Sequence, residues 1–282
     1  MISKKTGAFL GWFVLLLCTG TVCFFLGIIL ADLITKGWPA LSWEFISSGP
    51  TEGMTTGGIL PAIVGTVLTT VITAIFAVPF GVCCAIYLNE YAKDTSFSRL
   101  IRASIRNLSG VPSIIYGLFG LALFVQGLSL GTSVLSAGLT LGLLSLPYII
   151  TTTEEALRRV PASMREAALG LGATQFESIR DVVLPAALPG ILTGVVLTLS
   201  RAAGETAPIL FTGAAFYITG TSGALNQEFM ALPYHLYMLS TQHQAIEQVR
   251  PLAYATALVL LIVIVLLNLT AFYIRYKHRN ND

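Results

Sequence analysis

The sequence predicts an all-α membrane protein with six transmembrane helices in one domain, residues 1–282. Three observations predict it. Of the 282 residues, 55% are hydrophobic and only 11% are charged, whereas soluble domains carry about a quarter charged residues. Mean hydropathy is +0.79. The apolar residues also gather in runs that meet the roughly 20 residues a spanning helix needs. Six such helices leave short loops and two longer ones, with no room for a large soluble domain.

The first run, residues 8–34, follows Lys4 and Lys5. It is too long for a signal peptide and no small-x-small site closes it, so it reads as a retained anchor. Trp38 and Trp43 then stand just beyond it, in the position of an interfacial aromatic belt. The second span covers residues 60–88. The next run, 108–153, is twice the needed length, and its Gly, Ser and Thr-rich middle at 126–133 divides it into spans at 108–126 and 133–153. The fifth span is 186–213 and the sixth 252–275. Residues 35–59 and 214–251 form loops on one side, and 154–185 a long loop on the other.

Charge sets the orientation. Lys4, Lys5, Lys93, Arg99, Arg102, Arg106, Arg158, Arg159, Arg165, Arg180, Arg275, Lys277 and Arg279 share one side, 13 of the 16 basic residues. The positive-inside rule makes that side cytoplasmic and puts both termini there, as in a multi-pass protein of the bacterial inner membrane. The four cysteines, Cys18, Cys23, Cys83 and Cys84, sit in apolar runs as small hydrophobes. No lysine follows a glycine, so no phosphate-binding Gly-Lys-Ser/Thr loop exists in the chain. Nucleotide chemistry must come from a partner. Membrane lipid is the expected surrounding, with no cofactor, metal or nucleic acid.

The loop 154–185 is the most charged segment. Pro161 interrupts the helix leaving the membrane. Ser163-Met-Arg-Glu166 has the spacing of a capping box and predicts a helix start, with an end at Gly170 or Gly172. Thr174-Gln-Phe-Glu177 repeats the spacing, and Leu184-Pro185 closes the second helix. Glu166-Ala167-Ala168, then Gly172, then Val182-Val183-Leu184-Pro185 resembles the EAA signature of MetI-like ABC importer permeases, with Val182 in place of the usual isoleucine. The resemblance implies that Glu166, Ala167, Ala168 and Gly172 belong to a coupling helix between spans four and five, docked on a cytoplasmic ATPase. A rigid, capped helix suits that task because it transmits displacement instead of absorbing it.

Arg201 and Glu205 interrupt the fifth span. A lone charge at the centre of a bilayer costs at least ~2.5 kcal/mol. The pair either neutralises itself as structure or lines a pathway. Arg preceding Glu is the weaker helical order, and intramembrane ionisable groups mark pathways by default, so function is favoured. Pro208 removes an N–H and crowds the Gly204 carbonyl, predicting an opened helix around Glu205. In span two Thr66, Thr69, Thr70 and Thr73 share a face; they either bond their own backbone or line the same cavity. Gly138-x-x-x-Gly142 and Gly190-x-x-x-Gly194 predict close helix contacts.

A guanidinium fork suits a tetrahedral oxyanion, phosphate and sulfate alike. The segments Gly110 to Gly120, Arg201 to Thr212, Gly53 to Gly65 and the tail Asn268 to Arg275 are similar to the PstA permeases of bacterial phosphate uptake. That resemblance implies phosphate as solute and Arg201 as the residue associated with its passage. It also implies as partners a homologous PstC-like permease, two copies of a PstB-like ATPase and a PstS-like periplasmic phosphate-binding protein. Moving a dianion inward against ~100 mV costs about 4.6 kcal/mol, which calls for an energy source. A permease for another oxyanion or solute is the first alternative. The other is an intramembrane enzyme using Glu205 with His235 or His243, but those histidines lie eight apart with no third ligand at suitable spacing.

Overall fold

The computed structural model describes residues 4–218 and 224–279. Residues 219–223 of the predicted outer loop lie outside the described residues, as do the side chains of Lys4, Lys5, Arg275, Lys277 and Arg279.

Helix α1 (Lys4–Gly37) carries an uninterrupted uncharged run from Gly11 to Ala31. From Gly11 onward its side chains are exposed almost throughout, as suits a helix bathed in lipid. Its far end rests on the last helix, where the Tyr254 hydroxyl donates to Asp32 at 3.3 Å and Lys36 pairs with Asp32 at 2.7 Å. Trp38 and Trp43 follow, 66% and 81% exposed, at the predicted belt position. After α2 (Trp43–Ser47) a two-residue hairpin, β1 (Pro50–Thr51) against β2 (Thr56–Gly57), turns the chain into α3 (Leu60–Ile86). A π turn at Tyr87–Tyr91 extends α3.

The third span differs from expectation. The chain forms α4 (Ser96–Leu108), capped by Thr95 and Ser98, and then turns through 101° into α5 (Ser113–Gly120), which runs on as a π segment to Gly127. Pro112 at the start of α5 restricts Val111 to extended backbone, so one helix cannot run through the predicted 108–126. The apolar arm of the bent pair begins at Ser113. It spans 15 residues, about 22 Å, shorter than the usual need. Among the described residues five helices are long and apolar enough to cross a membrane, or six if the bent pair counts as one span.

Helix α6 (Val134–Arg158) is the centre of the bundle, and it runs five residues past the predicted span end. Ser133 caps it by accepting from the Ser136 N–H. Ala77, Ile149, Leu157, Val183 and Ile191 form the core where α3, α6 and the fifth span meet. Both glycine pairs are close contacts, as expected. A Cβ on Gly138 would lie 2.5 Å from the Ile72 Cγ2, and one on Gly194 would lie 2.5 Å from the Thr152 Oγ1. The hydroxyls of the threonine stripe are spent on backbone groups. Thr66, Thr69 and Thr70 donate to carbonyls three or four residues back, Thr73 donates to the Gly138 carbonyl at 3.0 Å, and Thr66 also accepts the Leu232 N–H at 2.9 Å. Hydroxyls that satisfy backbone groups between packed helices need no water.

The charged loop holds α7 (Ala162–Gly170) and α8 (Gln175–Ser178). The first capping box does not form: Pro161 occupies the N-cap, helix begins at Ala162, and Ser163 already lies inside it. The second forms fully, with the Thr174 N–H donating to Glu177 at 2.8 Å and the Glu177 N–H to the Thr174 hydroxyl at 3.3 Å. The Thr174 N–H and hydroxyl hold the Glu177 carboxyl below the usual range. Nor does Leu184-Pro185 end the helix. A π turn at Ile179–Val183 carries it straight into α9 (Leu184–Ala203), the wider turn ahead of Pro185 accommodating its ring and missing N–H. Short α10 (Ala207–Leu210), α11 (Leu232–Thr241) and α12 (Ile246–Arg279) complete the chain, α12 starting six residues before the predicted span.

Gly138→Ala therefore lowers the thermal stability of the purified protein, by about 1–3 kcal/mol of overpacking against Ile72. Gly20→Ala, in α1 with no heavy atom within 4 Å of the new Cβ, leaves it unchanged or slightly higher. Equal melting curves for the two variants would show that α3 and α6 are not closely packed.

Candidate functional site

Two clusters emerge from this framework. The first is the end of α9. Helix α9 stops at Ala203, residues 204–206 are not helical, and Pro208 starts α10 in its own first turn, so the chain is opened where Pro208 predicts. The Gly204 N–H still donates to the Arg201 carbonyl at 3.0 Å and the Glu205 N–H to the Ala202 carbonyl at 3.1 Å, a tightened last turn that satisfies two of the helix's terminal carbonyls. Arg201 thus sits in the last turn of a helix, where the carbonyl end of the macrodipole favours a cation.

Its surroundings are specific. The Arg201 Nε lies 3.4 Å from a Glu205 carboxylate oxygen, and the guanidinium carbon lies 4.3 Å from the centre of the Tyr148 ring. A cation over a tyrosine face is worth roughly 0.5–2 kcal/mol. Tyr148 is fixed in turn by donating its hydroxyl to the Ser109 carbonyl at 2.9 Å, in the elbow between α4 and α5. Half of the Arg201 side chain is exposed, against 17% for Glu205. The carboxylate is the tucked-in partner, and the cation is presented outward. The predicted pair is therefore brought together, while Tyr148, which the sequence reading did not single out, forms the third side.

One helical turn from Tyr148 and Arg201, beginning at Thr152 and Leu197, a groove of about 350 Å³ runs between α6 and α9 toward the basic end, lined also by Glu155, Arg159 and Thr193. Tyr148, Thr152, Glu155 and Arg159 recur at helical spacing along α6, so they share one face.

The second cluster is the α7–α8 turn. Glu166 and Ala167 are exposed, Ala168 is half-buried, and Gly172 is exposed in a left-handed conformation with φ of +91°. Of the two candidate glycines, Gly172 makes the turn, and no other residue type does so without strain. Met164, Leu169, Leu171 and Phe176 are exposed on the same segment, Leu171 at 91%. Exposed apolar groups clustered this way outside the spans mark an interaction surface.

A strut that sequence reading missed anchors this turn. Arg165 holds the Glu90 carboxylate with both faces of its fork, at 3.2 and 2.8 Å, and also donates to the Val160 and Leu157 carbonyls at 2.8 and 2.9 Å. The Gln175 amide donates to the Glu90 carbonyl at 2.7 Å. Glu90 lies in the π turn that ends α3, and only 7% of its side chain is exposed. The turn is thereby tied to α3 and α6 together. Nearby, Arg102 pairs with Glu154 and donates to the Leu88 carbonyl.

His235 and His243 take no part in either cluster. His235 is buried in α11, and burial lowers its pKa to about 4, which keeps it neutral. The ring of His243 contacts the Gly53 carbonyl at 2.9 Å beside the β1–β2 hairpin. Among the described residues no three His, Cys, Asp or Glu side chains are grouped to hold a metal.

A family model described as the inner membrane component of binding-protein-dependent transport systems matches residues 77–278. The phosphate transport system permease protein PstA of Xylella fastidiosa is 36% identical over 239 residues, covering 85% of this chain and 82% of its own. The PstA of Haemophilus influenzae is 34% identical over 255 residues, 90% and 89% of the two chains. The probable ABC transporter permease protein YqgI of Bacillus subtilis is 32% identical over 196 residues, 70% and 67%. Among solved structures, a bacterial alginate ABC transporter in complex with an alginate-bound periplasmic protein superimposes with a TM-score of 0.66 at 14% identity over 92% of both chains. The inward-facing MetNI methionine ABC transporter gives 0.63 at 19% identity over 78% of this chain and 97% of its own. At these identities the likeness concerns the fold. The chain belongs to the inner membrane components of binding-protein-dependent transport systems, and within them to the PstA-type permeases.

Proposed function

We propose that this chain is the transmembrane permease subunit of an ATP-driven phosphate importer, supplying half of the translocation pathway and one docking helix for a cytoplasmic ATPase. Relatives named as phosphate transport system permeases support the solute. The observation that carries the mechanism is a half-exposed guanidinium at an interrupted helix, with its carboxylate partner turned inward. Such a cation offers two parallel donors to an oxyanion and needs no reorganisation to do so. On this reading the α6–α9 groove is the inward half of the route, its basic end facing the cytoplasm with both termini, and Arg159 stands at its mouth. A homologous second permease closes the open side of the groove, and a periplasmic phosphate-binding protein delivers at the opposite end. Hydrolysis of ATP belongs to two copies of the ATPase, since this chain has no phosphate loop.

Coupling follows from the strut. The ATPase engages the apolar side chains around Leu171, and the Glu90–Arg165 clamp passes its displacement to α3 and α6 as one body. The experiment that tests the whole reading copurifies the chain with an ATPase and a second permease and asks whether phosphate stimulates uptake and turnover. Preferential uptake of sulfate would replace phosphate by another oxyanion. Hydrolysis of a membrane substrate by the chain alone would replace transport by catalysis.

Arg201→Gln abolishes phosphate uptake, by roughly 30-fold or more for a lost charge contact of at least ~2 kcal/mol, while the complex still assembles. Loss of the folded complex instead would make the pair structural. Gly172→Pro uncouples ATP hydrolysis from uptake, because proline cannot adopt a φ of +91°; unchanged uptake would remove the turn from the mechanism. Glu90→Ala raises the ATP consumed per phosphate without releasing the ATPase, and Arg165→Lys does the same because an ammonium cannot replace the two-point grip. Unaltered coupling in both variants would show that the strut transmits nothing.

A further inference from the structure

A second, unassigned site lies at the elbow between α4 and α5. A polar pocket of about 160 Å³ opens between α4 and α6, lined by Arg102, Arg106, Thr151, Glu154, Glu155 and Arg158. Arg102 and Glu154 satisfy each other. Arg106 and Arg158 make no ion pair among the described residues, so against Glu155 the pocket keeps an excess positive charge. Ile105 lines this pocket and also a second, apolar groove of about 490 Å³, which descends past Ile115, Phe119, Leu146 and Ile150. Helix α4 places Phe97, Leu100 and Leu108 on its exposed surface among Arg99, Arg102 and Arg106, as a helix lying in the headgroup plane does.

We propose that this elbow holds one anionic phospholipid of the leaflet at the basic end, its headgroup phosphate on Arg106 and Arg158 and an acyl chain in the apolar groove. A charged pocket that shares a wall residue, Ile105, with an apolar groove matches the two chemistries of a lipid, and basic pockets between membrane helices on the cytoplasmic side are known to take such headgroups. Free phosphate shares the headgroup chemistry but has no use for the groove. The inference is independent of the transported solute.

The test purifies the intact complex in mild detergent and measures retained phosphatidylglycerol and phosphatidylcholine by native mass spectrometry, before and after titration with each. Wild-type protein retains phosphatidylglycerol in preference. Arg106→Gln with Arg158→Gln weakens retention roughly 30-fold, at about 1 kcal/mol per basic residue. Ile115→Trp, which fills the groove and spares the charges, also releases the lipid while the melting temperature in lipid-free detergent is kept. Equal retention of the two lipids, retention unchanged in both variants, or displacement of the lipid by inorganic phosphate alone would overturn the proposal. So would a disulfide cross-link between a cysteine at Leu146 and the second permease, since a protein helix would then fill the groove.

Discussion

A guanidinium held among apolar helices constrains everything around it. Arg201 cannot be left to hydrocarbon, and this chain meets its demand with three different physical devices. The carbonyl end of α9 supplies a dipole, Glu205 a counter-charge, and Tyr148 a π face. Each depends on a structural element beyond the arginine itself. The dipole exists only because α9 ends at Ala203, and it ends there because Pro208 starts a new turn. The Tyr148 ring lies where it does because its hydroxyl is tied to the 109–112 elbow, which Pro112 helps to create. The short third span, the broken fifth span and the central sixth helix are thus parts of one arrangement.

The same arrangement explains why the helices carry so many small residues. A charge with its partners needs room for side chains, but the rest of the bundle gains by close approach, since hydrophobic burial drives little association between helices already in lipid. Gly138 and Gly142 bring α6 against α3, and Gly190 and Gly194 bring α9 against α6. What remains open is the groove below Arg201, bordered by Thr152 and Thr193, whose hydroxyls donate to carbonyls in their own helices at 2.9 and 2.7 Å. These polar walls make few demands of their own.

The parts of this structure that local chemistry dictates were legible in the sequence. The opening at Glu205, the Thr174–Glu177 cap and the turn at Gly172 each depend on residues within four positions of one another. The failures are equally physical. Ser163 lost its capping role because the helix starts one residue earlier, at Ala162 directly after Pro161, and Leu184-Pro185 did not end a helix because a π turn absorbed the misfit. The elbow was hidden because hydropathy alone ran straight through Pro112. The hydroxyls of the threonine stripe were spent on backbone groups, those of neighbouring elements among them. Glu90 and Arg165 are 75 positions apart, and nothing in either neighbourhood announces the other. Tyr148 looked like one more aromatic in an apolar run.

The two clusters are not independent in space, and α6 is the reason. At its basic end the Leu157 carbonyl accepts from Arg165, so the α7–α8 turn grips the end of the helix. Nine residues earlier, about 14 Å along the axis, the same helix carries the tyrosine beneath Arg201. The stretch from Tyr148 to Leu157 lies beyond the helix's internal Pro147 and is regular α-helix, stiff over that distance, and the Gly194–Thr152 and Gly190–Ala156 contacts pack it closely against α9. Under the proposed function, closure of an ATPase on the exposed turn would therefore move the Tyr148 ring together with the turn. The guanidinium is carried by α9, which the π turn at Ile179–Val183 joins to the same loop, so a shift between the two helices has to be taken up in that π turn. Relative sliding of α6 and α9 changes how much of the Arg201 cation the ring and Glu205 cover, and hence how much is offered to an anion. A rigid helix gripped at one end and carrying an aromatic lever at the other can then link an ATP-driven displacement to a change in affinity, without any bond being remade along the way.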